Sequence, residues 1–373
     1  MRPPHVIKHR IFPQLNGLRG LAILAIVARH YWPEHNAWDP SGGRIGVDFF
    51  FVLSGFLVTR SLLFDSQKAD ESRWAPLRRF YARRAWRIAP LFYLTYLLAI
   101  LLHWDGARGG AAWHLSFLSN FYFIREGRFI GACGHLWFIA VLQQFYLAWP
   151  LVIALLPRKR VPEASLGLVL TGLLVRSLAV GLGWSTLTID IMTPGAFESL
   201  GMGAWLASTM AKNLGQEPDV SCPRFLGIAG LCLIGLEIVL AGSLPGKWLF
   251  LTGTELGRSL LLTWLIAEAI AGLPGMIGRG LESAPAQAFG VWSYAIYLSH
   301  NFIRCGVGAC VKGRLAPATE PFLALFGTLA WSAFACRFAD IIRSYEVGSR
   351  LSMLSPGHAG LGRHFRYHAD RRD

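Results

Sequence analysis

The chain has 373 residues, of which 53% are hydrophobic and 16% are charged, and its mean hydropathy is +0.41. These values exclude an ordinary soluble protein, whose core needs fewer apolar residues, and they indicate a protein that crosses a membrane several times. The net charge of +14 comes mainly from basic residues beside apolar segments, where anionic headgroups attract them, so nucleic-acid binding is not expected.

Apolar segments close to the roughly 20 residues that a helix needs to cross the hydrocarbon recur along the whole chain. We predict an all-α, polytopic membrane bundle of about ten transmembrane helices with both termini in the cytoplasm. The predicted spans are residues 15–33, 45–64, 86–104, 135–156, 164–183, 190–210, 225–243, 248–273, 286–303 and 320–343. A further apolar piece, residues 111–124, is short and contains His114 and Asn120, so we predict that it is interfacial or re-entrant.

The positions of Lys and Arg favour this topology. With the N-terminus inside, the cytoplasmic segments carry 22 of them and the outer segments carry eight. Cytoplasmic loops of membrane proteins carry such an excess, whereas an eleventh crossing at 111–124 would move "RKR" and the basic C-terminus outside. We therefore assign residues 1–346 to a membrane domain and residues 347–373 to a basic cytoplasmic tail.

The first span, "RGLAILAIVARH", contains two ionisable residues, Arg19 and His30. Eleven helical positions amount to three turns plus about 20°, so both side chains project from one face, about 16 Å apart along the axis. Charged groups at this depth are costly and usually have a partner or a function. The alternative is that Arg19 extends to the inner headgroups and His30 only caps the outer end of the helix.

Three residues in other spans are predicted to lie at the depth of His30. Asp48 opens the second span, His135 begins the fourth and His300 closes the ninth, all on the outer side. An imidazole can accept and return a proton near neutral pH, and a carboxylate can fix its tautomer. The spacing of the histidines does not favour a metal site, and none is predicted.

A second cluster, "FYARRAWRIAP", lies at the cytoplasmic end of the third span. Arg84 and Arg87 are three positions apart and therefore share one side of a helix. Guanidinium groups bind phosphate oxygens through two parallel bonds, which suits a phosphate-bearing ligand from the cytosol. The alternative is a basic anchor for phospholipid headgroups, but Arg19 near the same end of the bundle favours the ligand.

Five stretches in this order resemble the membrane acyltransferase-3 family, which includes bacterial O-acetyltransferases of cell-surface polysaccharides, lipooligosaccharides and macrolides. They are "LNGLRGLAILAIVARH", "GVDFFFVLSGFLVTRSL", "RRAWRIAP", "HLWFIAVLQQFYLAWP" and "SYAIYLSHNF". The resemblance implies a ten-helix bundle in the bacterial cytoplasmic (inner) membrane. Such a protein transfers an acyl group, usually acetyl, from cytosolic acyl-CoA to a glycan hydroxyl.

The resemblance also implies roles for individual residues. His30 corresponds to the essential histidine of the family, Arg19 to its companion, and Arg84 and Arg87 to the pair associated with the donor. The sequence departs from the family in the fourth span, where Leu142 and Gln143 occupy the positions that are acidic in the family. Either Asp48 or Glu198 is then expected to supply the carboxylate, or the acceptor chemistry differs in this protein; we favour Asp48 as the residue that orients His30.

The sequence therefore predicts a membrane O-acyltransferase with acetyl-CoA or another acyl-CoA as donor, no metal, and a glycan or glycolipid as acceptor. His30 would act as a general base or as a nucleophile. Candidate acceptor-site residues are His135, Trp137, Glu198, Tyr297 and His300. A transporter or flippase without acyl transfer is the alternative from another class, and a purely structural subunit would leave the outer histidines unexplained.

Overall fold

The computed structural model describes residues 12–32, 43–65, 74–211, 224–240, 244–311, 314 and 316–353. Within these residues every regular element is helical. The α-helices are α1 Pro13–Tyr31, α2 Arg44–Asp65, α3 Trp74–Leu101, α4 Ala111–Leu115, α5 Ser119–Glu126, α6 Leu136–Leu155, α7 Val161–Gly181, α8 Thr186–Ile191, α9 Phe197–Met210, α10 Phe225–Leu240, α11 Leu244–Ala271, α12 Gly275–Glu282, α13 Ala284–Val311 and α14 Glu320–Met353. The prediction of an all-α bundle is confirmed for this part of the chain.

Nine of the ten predicted spans coincide with one long helix each, but the sixth, residues 190–210, is interrupted. Helix α8 ends at Ile191, Met192 is extended, and a 3-10 turn containing Pro194 precedes α9. Proline lacks the N–H group that a continuous helix would bond four residues back, so the chain changes direction here. The tail predicted from residue 347 lies mostly outside the described residues, and α14 continues past residue 346 to Met353.

The apolar piece at 111–124 forms two short helices, α4 and α5, and neither is long enough to cross a bilayer. Polar bonds attach this piece to its neighbours. Asn120 donates to the carbonyl of Ile191 (3.3 Å) and to Thr193 Oγ1 (3.1 Å), while Gln144 Nε2 donates to Asn120 Oδ1 (2.9 Å) and to the carbonyl of Phe117 (3.0 Å). The buried amide of Asn120 is therefore explained by side-chain and backbone partners on three elements.

Helix α12 was not predicted from the sequence. The segment Thr252–Ala271 of α11 and this helix are bent by 84° relative to each other. Gly272, with φ +102°, permits the sharp turn. Gln14 of α1 stabilises it, because its side chain donates to the carbonyl of Leu273 (3.2 Å) and accepts from the Leu273 N–H (2.6 Å).

In the part of the chain that the structure describes, three helices are long and apolar enough to cross a membrane by length and composition, and the bent pair α11–α12 passes the same test as a fourth candidate. The three segments are Arg44–Phe64, Leu136–Leu155 and Arg158–Gly181. Leucines at four-residue intervals along α7 are exposed, as expected for a helix face covered by lipid: Leu166, Leu170, Leu174 and Leu178. Several other long helices, α1 among them, contain charged side chains directed into the bundle.

The directions of the helices follow from their contacts. Arg19 of α1 bonds Ser293 of α13, and further along both helices His30 bonds His300, so α1 and α13 run parallel. The pair α1 and α2 is antiparallel, because Gly46 faces Ala22 whereas Gly43, three residues earlier, faces Arg29. The pair α2 and α6 is parallel, with contacts between Phe51 and Phe138 and between Thr59 and Trp149.

Helix α2 also packs closely against α9, and glycines allow this approach. A Cβ built on Gly203 would overlap the carbonyl oxygen of Val52, and one on Gly55 would overlap the carbonyl oxygen of Leu200. Small residues at such contacts are typical of membrane helix pairs. This packing fixes α2 between the cavity described next on one side and a cluster of buried charges on the other.

Candidate active site

A cavity of about 100 Å³ lies between α1, α2, α3, α6 and α13. Among the described residues that line it there are three arginines and no aspartate or glutamate, so the cavity has a positive potential. Its lining consists of Arg19, Phe50, Leu53, Ser54, Leu57, Arg84, Arg87, Ile88, Phe138, Ile139, Leu142, Gln143, Tyr146, Ser293, Tyr294 and Tyr297.

Arg19 reaches this cavity from α1 and is held by neutral groups. Its Nη1 donates to Asn16 Oδ1 (3.1 Å) and its Nη2 donates to Ser293 Oγ (2.8 Å). These bonds orient the guanidinium without an opposing negative charge. The side chain is therefore positioned to attract an anion.

The two arginines of α3 line the same cavity. The Arg84 guanidinium lies over the rings of Tyr146 (4.5 Å) and Phe80 (5.6 Å), which fixes its plane by cation–π contact. Arg87 follows one turn later. The adjacent Arg83 does not line the cavity and donates to Ser61 Oγ at 3.4 Å. The structure thus brings together the arginines that the sequence analysis assigned to a phosphate-bearing ligand.

The predicted histidines also meet. His30 Nδ1 and His300 Nε2 are 2.7 Å apart, the ring centroids are 4.8 Å apart, and the ring planes differ by only 23°, so the two rings lie side by side. On the other side, His300 Nδ1 lies 2.6 Å from the carbonyl oxygen of Tyr297. His135 packs edge-on against His300 at 5.0 Å between centroids, and its Nε2 donates to the carbonyl of Leu298 (3.0 Å). His300 and His135 are buried, whereas His30 remains partly exposed.

Tyr297 separates the cavity from the histidine pair. Its ring lines the cavity 4.9 Å from Phe138, and its hydroxyl donates to the carbonyl of His135 (2.7 Å). Its own carbonyl is the acceptor for His300. His30 is not among the described residues that line the cavity, so the arginines and the histidine pair are adjacent regions joined through one turn of α13.

Asp48, expected to orient His30, has different partners. Its Oδ1 accepts from Arg44 Nε (2.9 Å) and its Oδ2 from Arg258 Nε (2.5 Å). Asp48 lies at the outer end of α2, as its predicted depth requires, but its side chain points the other way. Leu57, nine positions later, faces the cavity. Nine helical positions amount to two and a half turns, so Asp48 lies on the opposite face of α2. The side chain bonded to His30 is His300, and Asp48 belongs to an ion-pair cluster.

A scan against protein families matches residues 12–337 to a family described as an acyltransferase domain. The chain belongs to this acyltransferase family. The family predicted from the five sequence stretches is therefore confirmed, and the arginine cavity and the histidine pair lie within the matched residues. No solved structure matches the chain.

Curated relatives are O-acetyltransferases. The chain is 28% identical over 320 residues to O-acetyltransferase OatA of Staphylococcus aureus, a match that covers 78% of this chain and 50% of the relative. It is 34% identical over 152 residues to the peptidoglycan O-acetyltransferase OatA of Listeria monocytogenes, covering 37% of this chain and 23% of the relative. At its greatest extent, the similarity spans about half the length of these relatives.

Two cavity residues lie at positions where the resemblance implied acidic side chains. Leu142 and Gln143, at the positions expected to be acidic, both line the cavity. Neither carries a charge, so the lining has only the positive charge of its arginines. Glu198, the other candidate for a missing carboxylate, does not compensate because it lies in the ion-pair cluster, with its Oε1 3.4 Å from Arg176 Nε.

Sequence reasoning missed the extent of this ion-pair cluster. Arg44 Nη2 contacts Glu255 Oε2 at 2.7 Å, and Arg176 and Arg258 reach the same carboxylate oxygen at 3.4 and 3.3 Å. The sequence signal for such a cluster is the presence of isolated charged residues in several apolar spans. Which of these residues pair with one another cannot be deduced from the sequence of any one span. In the described residues the cluster contains three arginines and four acids: Arg44, Asp48, Arg176, Asp190, Glu198, Glu255 and Arg258.

Trp137, a candidate acceptor-site residue, lies beside the ion-pair cluster. The Arg44 guanidinium lies 5.9 Å from its ring centroid, and its ring also contacts Phe51. Of the five candidate acceptor-site residues, His135, Tyr297 and His300 therefore surround His30 or the end of the cavity. Trp137 borders the ion-pair cluster, and Glu198 lies within it.

Proposed function

We propose that this protein is a membrane O-acyltransferase. It moves an acetyl or other short acyl group from cytosolic acyl-CoA to a hydroxyl of a cell-surface or secreted glycan, such as a polysaccharide, O-antigen or lipooligosaccharide. The observation that carries the proposal is the combination of three arginines around one cavity, whose described lining includes no acid, with a histidine pair joined to it through one turn of α13. The names of the similar O-acetyltransferases support acetyl as the transferred group.

The donor fits the charge of the cavity. Coenzyme A carries phosphates, which guanidinium groups bind through charge-assisted hydrogen bonds. In the proposal Arg84, Arg87 and Arg19 hold these phosphates and the adjoining arm. In this arrangement part of the arm enters the cavity, the nucleotide stays at its mouth, and the thioester is directed towards Tyr297 and His30.

His30 performs the chemistry by one of two routes. As a general base, it takes the proton of the acceptor hydroxyl while that oxygen attacks the thioester carbon; the carbon–sulfur bond breaks, and the proton passes to the departing thiolate. As a nucleophile, it displaces the thiolate and forms an acyl-imidazole, which the acceptor hydroxyl then attacks; the hydroxyl proton is transferred to the thiolate. Both routes produce an ester and free coenzyme A.

We propose a ten-span topology with cytoplasmic termini in the bacterial inner membrane. The helix directions support it: α1 and α13, the first and ninth predicted spans, are parallel, and α2 and α6, the second and fourth, run the opposite way. Single cysteines introduced at Lys159 and Ser185, in a variant whose six native cysteines are replaced by serine, test the topology with an impermeant maleimide on intact cells. Labelling is expected only at position 185, and labelling at 159 would contradict the orientation.

The activity is tested with the full-length protein in sealed membranes supplied with radiolabelled acetyl-CoA on the cytoplasmic side. The wild type is expected to release coenzyme A and to place the label in glycan esters that hydroxylamine cleaves. His30→Ala should lower both by about 100-fold or more, the usual contribution of a general base. His103→Ala, at an exposed histidine outside the site, is the matched control and should retain the wild-type rate.

The same experiment separates acyl transfer from transport. A transporter or flippase would move a glycan across the membrane without consuming acetyl-CoA, and its rate would not depend on the donor. A folded His30→Ala variant that transfers acetyl at the wild-type rate would exclude both proposed routes.

A further inference from the structure

We propose that His300 is a positioning residue that holds His30 in a single tautomer, with Nε2 as its reactive nitrogen. This inference deepens the proposed function and rests on it, because His30 must first be the catalytic base or nucleophile. It assigns to an imidazole the orienting role that the sequence analysis gave to the carboxylate of Asp48.

The direction of the hydrogen bonds follows from the backbone. The carbonyl oxygen of Tyr297 can only accept, so His300 Nδ1, at 2.6 Å, carries a hydrogen and donates it. A neutral imidazole has one N–H, and His300 Nε2 is therefore an acceptor. The nitrogen opposite it at 2.7 Å, His30 Nδ1, must then be the donor, which leaves the lone pair of the ring on Nε2.

The position of His300 is fixed by its surroundings, so its ring can orient that of His30. It is fully buried, and the edge-on ring of His135 packs against it. Tyr31, the residue next to His30, donates its hydroxyl to the carbonyl of His300 at 2.8 Å and lies 2.6 Å from Thr328 Oγ1. The backbone around both histidines is thus fixed by α1, α13 and α14, whereas His30 alone of the three histidines retains exposure.

The bond between the histidines becomes stronger during either catalytic route. When His30 Nε2 takes the proton of the acceptor hydroxyl, or forms a bond to the acyl carbon, the His30 ring gains positive charge. Its Nδ1–H then becomes a better donor to His300 Nε2. In the general-base route His30 returns the proton to the thiolate; in the nucleophilic route the thiolate leaves with the electrons of the broken carbon–sulfur bond. His300 needs no net change of protonation in either route.

Two substitutions separate this role from simple packing. His300→Gln places an amide oxygen near the position of the ring Nε2, where it can still accept from His30. His300→Asn keeps a polar group near Nδ1 and the Tyr297 carbonyl, but its side chain is too short to reach His30. We expect His300→Gln to keep kcat within about tenfold of the wild type and His300→Asn to lose about 100-fold, with the KM for acetyl-CoA unchanged in both.

The experiment uses full-length variants in sealed membranes with radiolabelled acetyl-CoA, and the rates are normalised to monodisperse protein extracted from the same membranes. His114→Gln is the control for a buried histidine outside the site, whose Nδ1 lies 2.7 Å from Ser119 Oγ; its kcat should stay near the wild-type value. Equal losses in His300→Gln and His300→Asn, or a rise in KM with kcat unchanged, would overturn the positioning role.

A measurement on unaltered protein makes the result independent of folding in the variants. Solid-state nitrogen NMR of protein labelled at histidine reports which ring nitrogen carries the hydrogen, and comparison with His30→Ala assigns the His30 signal. Neutral His30 protonated at Nδ1 is expected; protonation at Nε2 would refute the inference. If wild-type protein consumes no acetyl-CoA, or His30→Ala is fully active, the proposed function fails instead, whatever the tautomer.

Discussion

Replacement of Arg84 by glutamine tests the donor site most directly. The Arg84 guanidinium lies over Tyr146 and Phe80 and lines the cavity, where the described lining residues include no carboxylate. Its removal therefore leaves no buried acid without a partner, and the loss of stability is limited to about 0.5–1 kcal/mol for the cation–π contact. A change in activity can then be attributed to binding of the donor.

The expected effect follows from one lost charge-assisted bond. A hydrogen bond to a charged group contributes about 1.5–3 kcal/mol, which corresponds to roughly 10- to 150-fold in affinity. We expect the KM for acetyl-CoA to rise by this factor in Arg84→Gln, with kcat nearly unchanged because the arginine is remote from the reacting carbon. The wild-type KM should itself rise with salt, since ions screen partly exposed charges.

The assay compares acetyl-CoA with S-acetyl-N-acetylcysteamine, a thioester that lacks the phosphates. Arg84→Gln should not change kcat/KM for the truncated donor. Arg83→Gln is the matched control, because this neighbouring arginine lies outside the cavity and contacts Ser61. The reasoning is refuted if both donors are affected equally by Arg84→Gln, or if Arg83→Gln raises the KM for acetyl-CoA to the same extent.

Three further substitutions address the other regions of the bundle. Asp48→Asn removes one partner from a buried ion-pair cluster and should destabilise the protein by about 3–5 kcal/mol, which thermal unfolding in detergent measures. The folded fraction should keep its kcat. A stable but inactive variant would restore a catalytic role for Asp48. Gly203→Ala forces α2 and α9 apart and should lower the free energy of unfolding by about 1–3 kcal/mol, seen as a lower melting temperature. Gly167→Ala is the control: no atom lies within 4 Å of the added Cβ, so its melting temperature should be unchanged or slightly higher. Tyr297→Phe removes the bond to the His135 carbonyl, worth about 0.5–1.5 kcal/mol, and should lower kcat less than tenfold; a loss as large as that of His30→Ala would show that the Tyr297 hydroxyl takes part in the chemistry.

Local sequence patterns predicted the helices well. Apolar segments of near-membrane length become helices because the backbone N–H and C=O groups must bond within the segment in lipid. The short piece at 111–124, with a buried Asn120, was also predicted not to cross, and it forms two short helices. The break before α9 was missed, although Pro194 is a local signal for it, because hydropathy alone does not report where a helix is interrupted.

The sequence by itself determined which chemical groups enter the bundle and on which helix: Arg19 and His30 on one face of α1, Arg84 and Arg87 on α3, and His300 on α13. Helical periodicity and span order are sufficient for this, because they depend only on neighbouring positions. Only the tertiary structure decided which of these groups meet. The rotation of each helix about its axis is set by packing against several others, and that rotation directs Asp48 to the arginines and brings His300 to His30.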